Sequence, residues 1–166
     1  NNGISRFEKI NYFFLKYQNK NITDQELKYY SDYYGRIVYS LLCKAKTVKG
    51  IKKLLKFLIL NKKKIFVVSG SYETELKKVL EFQKLKKYFN EIYGSPRNKN
   101  QILNLIKKKH EINKSNTVFF GDSEIDYKTS MRFKIPFIHI TRFTDNIFNN
   151  KNSEYILEDF SKINYK

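Results

Sequence analysis

From Ile65 onward the chain repeats one pattern: a short apolar run, an abrupt turn of small or acidic residues, then apolar residues at helical spacing. Ile65-Phe66-Val67-Val68 stops at Ser69-Gly70-Ser71, and a helix is predicted from Tyr72 to about Phe82 with Leu76, Val79 and Leu80 on its inner face. Glu91 to Tyr93, closed by Gly94, is the next strand, followed by a helix from Lys99 to His110 that presents Ile102, Leu103, Leu105 and Ile106. Thr117 to Phe120 runs into Gly121-Asp122-Ser123, a helix covers Glu124 to Phe133, and Pro136 to Ile140 is the last predicted strand. Runs this short and continuously apolar suit strands buried on both faces, which are parallel strands joined by crossover helices. The expected fold class is therefore α/β, a doubly wound parallel sheet. After Thr144 a loop and a short helix are expected.

The chain opens differently. Ile4, Phe7, Ile10, Phe14 and Leu15 predict an amphipathic helix over Ile4 to Tyr17. Thr23 with Glu26 three residues later has the spacing of a capping box, starting a second helix through Leu42. Val48, Ile51, Leu54, Leu55 and Leu58 share one face of a third, from Val48 to Leu60. With 166 residues there is room for one α/β core and a small helical insert, and not for two large domains.

Several function classes are excluded or demoted on the same page. A membrane-spanning helix needs roughly 18 to 20 apolar residues, and the longest run here, Leu54 to Leu60, is interrupted by Lys56. Asn1 to Arg6 has no signal-peptide core. The single cysteine, Cys43, lies in the apolar stretch Val38 to Ala45 and reads as a buried, inert thiol in a cytoplasmic protein. The net charge of +17 invites a polyanionic partner, yet the lysines at 62–64, 86–87 and 107–109 fall on polar sides or ends of helices, where solvated charge is ordinary. A nucleic-acid-binding module built on that charge and on 27 aromatic residues, among them Tyr29, Tyr30, Tyr33 and Tyr34, is the competing reading, and nucleic acid is not the expected partner.

In an open parallel sheet, ligands bind beyond the carboxyl ends of the strands, so the residues just after each apolar run carry the chemistry. Ser69 and Gly70 offer a hydroxyl and backbone N–H groups ahead of a helix N-terminus, a setting that favours an anion such as phosphate. Such turns also occur for capping alone. Lys99 opens a helix, where a cation opposes the dipole unless an anion is near. Asp122 ends a strand and Asp126 follows four residues later, so both carboxylates return to one side of the helix and could bind Mg²⁺, which takes oxygen ligands and keeps waters. N-capping by Asp122 or Ser123 is the simpler account of the same residues.

Strand-Ser, then Lys after a further strand, then strand-Gly-Asp-Ser-x-x-Asp resembles the second, third and fourth motifs of the haloacid-dehalogenase superfamily of phosphatases. The resemblance spans roughly Ile65 to Thr141, and the opening helices, with Gly3-Ile4-Ser5-Arg6-Phe7-Glu8-Lys9, resemble the small α-helical cap of phosphoglycolate-phosphatase-like members. It implies a helical cap over 1–47 and an α/β core over 48–166. Ser69 and the Gly70 amide would bind the phosphoryl group, Lys99 would offset charge on phosphate and nucleophile, and Asp122 and Asp126 would hold Mg²⁺. It also implies a small phosphorylated substrate, with Arg6 as a contact to its anionic part.

The family carries Asp-x-Asp at the end of its first, central strand, one aspartate being the nucleophile. This sequence contains no Asp-x-Asp, and Asp24, Asp32, Asp145 and Asp159 do not follow apolar strand runs. The resemblance thus implies that the first central strand is absent from the chain, that a preceding segment carries it, and that the chain alone is inactive or a catalytically dead remnant. Two strands would then lack a partner on one side, leaving a gap in the sheet. Gly-Asp-Ser also occurs in esterases with a serine nucleophile, but neither His110 nor His139 has the aspartate three residues earlier that such a triad uses.

Overall fold

The computed structural model describes residues 6–142 and 155–165. Gly3 to Ser5, and the stretch just after Thr144 expected to be a loop, lie outside the described residues. The described residues form two compact units, one of 6–46 with 66–98 and the other of 47–65 with 99–142 and 155–165.

The first unit holds α1 (Arg6–Gln18), α2 (Asp24–Lys44), β1 (Phe66–Tyr72), α4 (Glu73–Phe82), a short 3₁₀ turn (Lys86–Tyr88) and β2 (Glu91–Ser95). The capping box that starts α2 forms as expected: Glu26 N donates to Thr23 Oγ1 at 3.2 Å, and Thr23 N donates to Glu26 Oε2 at 2.9 Å. β1 and β2 are parallel, with Phe66 beside Glu91, Val67 beside Ile92 and Val68 beside Tyr93. The register then lapses and resumes only at Tyr72 beside Ser95. The strand therefore continues through the serine-glycine turn instead of ending before it, but the regular ladder stops at Val68, where the apolar run stops. Gly94 makes room for that turn, because a Cβ there would collide with the carbonyl oxygen of Ser71 and sit 2.8 Å from the amide of Glu73. Val79, Leu85, Ile92 and Tyr93 are the buried apolar side chains of this unit.

Arg6 ties the helices of the first unit together. Its Nη1 donates to the Ser31 carbonyl at 2.9 Å and to Glu75 Oε1 at 3.0 Å, and Nη2 is paired with Glu75 Oε2. The guanidinium lies 5.4 Å from the Tyr34 ring centre and 4.9 Å from that of Tyr72. Gly35 is what lets it approach α2, since a Cβ at that position would stand 2.6 Å from Nη1.

The second unit holds α3 (Ile51–Leu60), α5 (Lys99–Lys109), β3 (Phe119–Gly121), α6 (Glu124–Arg132), β4 (Phe137–Ile140) and β5 (Tyr155–Leu157). Its three strands are parallel in the order β3-β4-β5. Leu54 of α3 packs with Ile140 and Phe160, joined by Val48, Ile51, Leu58, Phe120, Ile138 and Leu157, so the predicted apolar face of α3 is the one buried. Gly50, the N-cap of α3, has φ +80°, and a Cβ there would come within 2.5 Å of the Phe160 carbonyl oxygen. Ile102, Leu103 and Ile106 of α5 are buried as expected, Leu105 only half so, and Phe137 of β4 is buried.

Three expectations need correction. β5 occupies part of the tail where a loop and helix were expected; three residues, two of them exposed, are too few to show a period. Cys43 is half-buried, because α2 leaves Leu41 and Leu42 exposed and its C-terminal turn does not enter a core. The strand expected to end before Ser69 runs on to Tyr72, although its regular ladder stops at Val68. The expected discontinuity is present: among the described residues β1 is laddered to β2 alone and β3 to β4 alone, so each has one edge outside any sheet.

Candidate active site

The strand β3 ends on Gly121, and the chain turns through Asp122 into α6, whose N-cap is Ser123. Ser123 and Asp126 form a capping box: Asp126 N donates to Ser123 Oγ at 3.3 Å, and Ser123 N donates to Asp126 Oδ2 at 3.2 Å. The Ser123 hydroxyl is also 2.6 Å from Asp126 Oδ2. The capping account of this segment is therefore correct for Ser123 and not for Asp122, and the part of Asp126 in the box, which sequence did not anticipate, has its signal in the spacing Ser-x-x-Asp.

Lys99, the first residue of α5, reaches the other oxygen of the same carboxylate, with Nζ 2.5 Å from Asp126 Oδ1. The lysine and aspartate side chains are 9 % and 6 % exposed. A lysine at a helix N-terminus needs an anionic neighbour, and here that neighbour is Asp126, 27 residues away in sequence. Gly121 makes the arrangement possible, since a Cβ there would collide with the Asp126 side chain, lying 2.7 Å from its Cγ.

Asp122 sits differently. It is half-buried and, among the described residues, its side chain makes no hydrogen bond or ion pair. Of the two acids expected to hold Mg²⁺, one has its oxygens engaged by Lys99 and Ser123 and the other is unengaged at the strand end. A hard cation that retains waters and uses one or two carboxylates fits Asp122. Among the described residues no group of three or more His, Cys, Asp or Glu side chains is gathered as a cation cage.

Ser69, Gly70 and Arg6 belong to the first unit. Ser69 Oγ accepts from Ser71 N at 3.1 Å, closing a small turn of the kind serine makes with a backbone amide two residues on. Glu73, the first residue of α4, was not singled out by sequence. Its carboxylate accepts from Lys77 Nζ at 2.6 Å and from Gly94 N at 3.3 Å, and lies 3.6 Å from Arg97 Nη1. Those donors, Lys77 first, hold its carboxyl below the usual carboxylate range. An acid in the first helical turn was the one available signal. Arg6 lines a cavity of about 510 Å³ together with Lys28, Asp32, Tyr72, Thr74 and Glu75. An anion there would compete with Glu75 for the guanidinium. His139 is fully buried and stacked on Phe137, and His110 Nδ1 lies 3.2 Å from Lys64 Nζ.

No curated protein matches the chain. Solved structures do. A predicted phosphoglycolate phosphatase from Haemophilus somnus is similar over 93 % of this chain and 72 % of its own, with TM-score 0.76 at 20 % identity. β-Phosphoglucomutase from Clostridium difficile is similar over 98 % and 74 %, with TM-score 0.79 at 19 % identity. CbbY from Rhodobacter sphaeroides, solved with phosphate, is similar over 96 % and 75 %, with TM-score 0.80 at 13 % identity. At these identities the likeness speaks for the fold. A sequence model of the haloacid dehalogenase-like hydrolases matches residues 3–140, a span that contains the Ser69 turn, Lys99 and the Gly121-Asp122-Ser123 strand end alike. The helical opening segment and the parallel strands agree with that match, and the chain belongs to the haloacid dehalogenase-like hydrolase family.

Proposed function

We propose that this chain carries the phosphate-handling part of a Mg²⁺-dependent phosphohydrolase acting on a small phosphorylated metabolite. The observation that supports this most is the buried Lys99, held at the start of α5 beside a strand end that presents Asp122 without a partner among the described residues. A buried ammonium is costly unless paired, as Asp126 pairs this one, and a fixed cation and an unengaged strand-end carboxylate are groups that a phosphate with its metal ion can use. Ser69 and the Gly70 amide would donate to phosphoryl oxygens, Lys99 would neutralise charge on them, and Asp122 would hold the metal. Mg²⁺, when bound, would polarise the phosphoryl group and offset its charge. Helices α1 and α2 would act as a cap that excludes water and selects the leaving group, with Arg6 facing the anionic part of the substrate.

The chain supplies no Asp-x-Asp, so binding without turnover is expected. Calorimetry with inorganic phosphate should show binding that needs Mg²⁺. Lys99→Met should weaken it by about tenfold or more and Ser69→Ala by less, in line with a charged as against a neutral hydrogen bond. p-Nitrophenyl phosphate should not be hydrolysed. Phosphate binding indifferent to both substitutions, or no binding at millimolar phosphate, would remove the basis for the phosphohydrolase function.

A further inference from the structure

We propose that the exposed apolar face of α2 is the contact surface of a homodimer, in which α2 lies antiparallel on α2 of a second copy of this chain. Tyr29, Tyr33, Ile37 and Leu41 follow one another at four-residue spacing and so form one ridge along the helix. All four are open to solvent, with 62, 53, 45 and 63 % of their surface exposed. The opposite face is the one used inside the unit, where Ser31 and Gly35 are buried. Single exposed apolar side chains are ordinary, whereas a contiguous apolar surface marks a place of contact. The ridge is continuous with α1: the rings of Tyr29 and Tyr30 are 5.4 Å apart, those of Tyr30 and Phe14 4.8 Å, those of Phe14 and Phe13 5.6 Å, and those of Phe13 and Tyr17 5.7 Å. Phe13 and Tyr17 are themselves exposed.

Charge selects the occupant. The chain as a whole carries +17, yet α2 is balanced, its acids Asp24, Glu26 and Asp32 matching its bases Lys28, Arg36 and Lys44. A nucleic acid, the partner that aromatic residues and overall charge would otherwise suggest, finds no excess of positive charge on this helix. Asp24, Glu26 and Lys44 lie in the end turns, where they suit the helix dipole. Asp32 and Arg36 do not: they stand mid-helix on one flank of the ridge, each one residue before a ridge member, and both are exposed. Neither side chain makes an ion pair or hydrogen bond among the described residues. A two-fold axis crossing the ridge between Tyr33 and Ile37 sets Tyr33 of each copy against Ile37 of the other, and Tyr29 against Leu41. The same rotation brings Asp32 of each copy beside Arg36 of the other, offset by about 3 Å along the helix, which an arginine side chain spans. In a parallel pair the charged flanks would fall on opposite sides of the seam, and these ion pairs could not form. Apolar ridge and flanking charges are thus self-complementary under one operation, as an isologous interface requires.

Analytical ultracentrifugation of the full chain tests this. A reversible monomer–dimer equilibrium in the micromolar range is expected, and Tyr33→Glu and Ile37→Glu should each leave monomer. Asp32→Arg and Arg36→Asp should each weaken the dimer by about tenfold or more, because every contact occurs twice and each reversal sets like charges together at two places. An equimolar mixture of those two variants should recover a dimer as tight as the parent's, since in the mixed pair an arginine faces an aspartate at both places. A chain that stays monomeric at high micromolar concentration overturns the proposal and assigns the ridge to another occupant, a helix from a longer polypeptide or a different protein. A dimer that survives both glutamate substitutions, or charge variants that do not rescue one another on mixing, overturns it as well. Should a variant lose its helical circular dichroism, hydrogen exchange of the unmodified chain decides: protection of the α2 amides that rises with chain concentration supports the dimer, and protection independent of concentration contradicts it.

Discussion

At Gly121 a single methyl group would be felt on both sides of the strand end. The Cβ of Gly121→Ala would meet the Asp126 side chain, which cannot give way without loosening both Lys99 and the Ser123 cap. Overpacking of this kind costs about 1–3 kcal/mol. Urea denaturation of Gly121→Ala should show a loss in that range, and an unchanged midpoint would mean that Asp126 is not confined as described. Arg6 is the corresponding residue in the first unit. Arg6→Ala would leave Glu75 and the Ser31 carbonyl without their donor. Because the Glu75 side chain is 33 % exposed, solvent can take over part of its solvation, so a loss of about 2 kcal/mol is expected rather than the larger penalty of a fully buried pair. Arg6→Lys should not restore it, since an ammonium cannot reproduce the two-pronged contact. A lysine variant as stable as the parent in thermal melts would contradict that geometry.

Helix α2 shows how local signals set an element. Its capping box is fully formed, and the Glu26 carboxyl is drawn down to about 2, first by the hydrogen bond from Lys20 and then by the Thr23 amide. A carboxyl whose folded value lies below its ordinary one contributes stability above about pH 4.5, and loses that contribution as the pH falls toward 2. Thr23→Ala should cost about 1 kcal/mol at neutral pH. Glu26→Gln should flatten the loss of helical circular dichroism between pH 4.5 and 2; an acid limb identical to that of the parent would show that Glu26 is not coupled to folding. The box was legible because it needs only residues 23 and 26 of the same segment. The helices and all strands but one were legible for the same reason, each carrying its period within about ten residues. What was not legible depends on distance in sequence. Lys99 stood out by its place at the start of a helix that follows a strand, but its partner did not: Asp126 comes to it from another element, 27 residues on. β5 exists because β4 offers an edge, and its three residues carry no pattern of their own. The irregular passage of β1 through Ser69 to Tyr72 depends on Gly94 in the neighbouring strand.

At the scale of the whole molecule the +17 charge does not carry the functional account, although its field would favour an anionic ligand at any open site. What carries it is the proposal that Ser69, Gly70, Lys99 and Asp122 serve a single phosphoryl group. A crystal structure of the chain grown with MgCl₂ and tungstate, an electron-dense phosphate mimic, addresses this directly. One tetrahedral anion within hydrogen-bond distance of Ser69 Oγ, Gly70 N and Lys99 Nζ, with Mg²⁺ bound to an oxygen of Asp122, is the predicted result. Tungstate bound elsewhere, or Ser69 and Lys99 facing separate spaces with no shared anion, would contradict it.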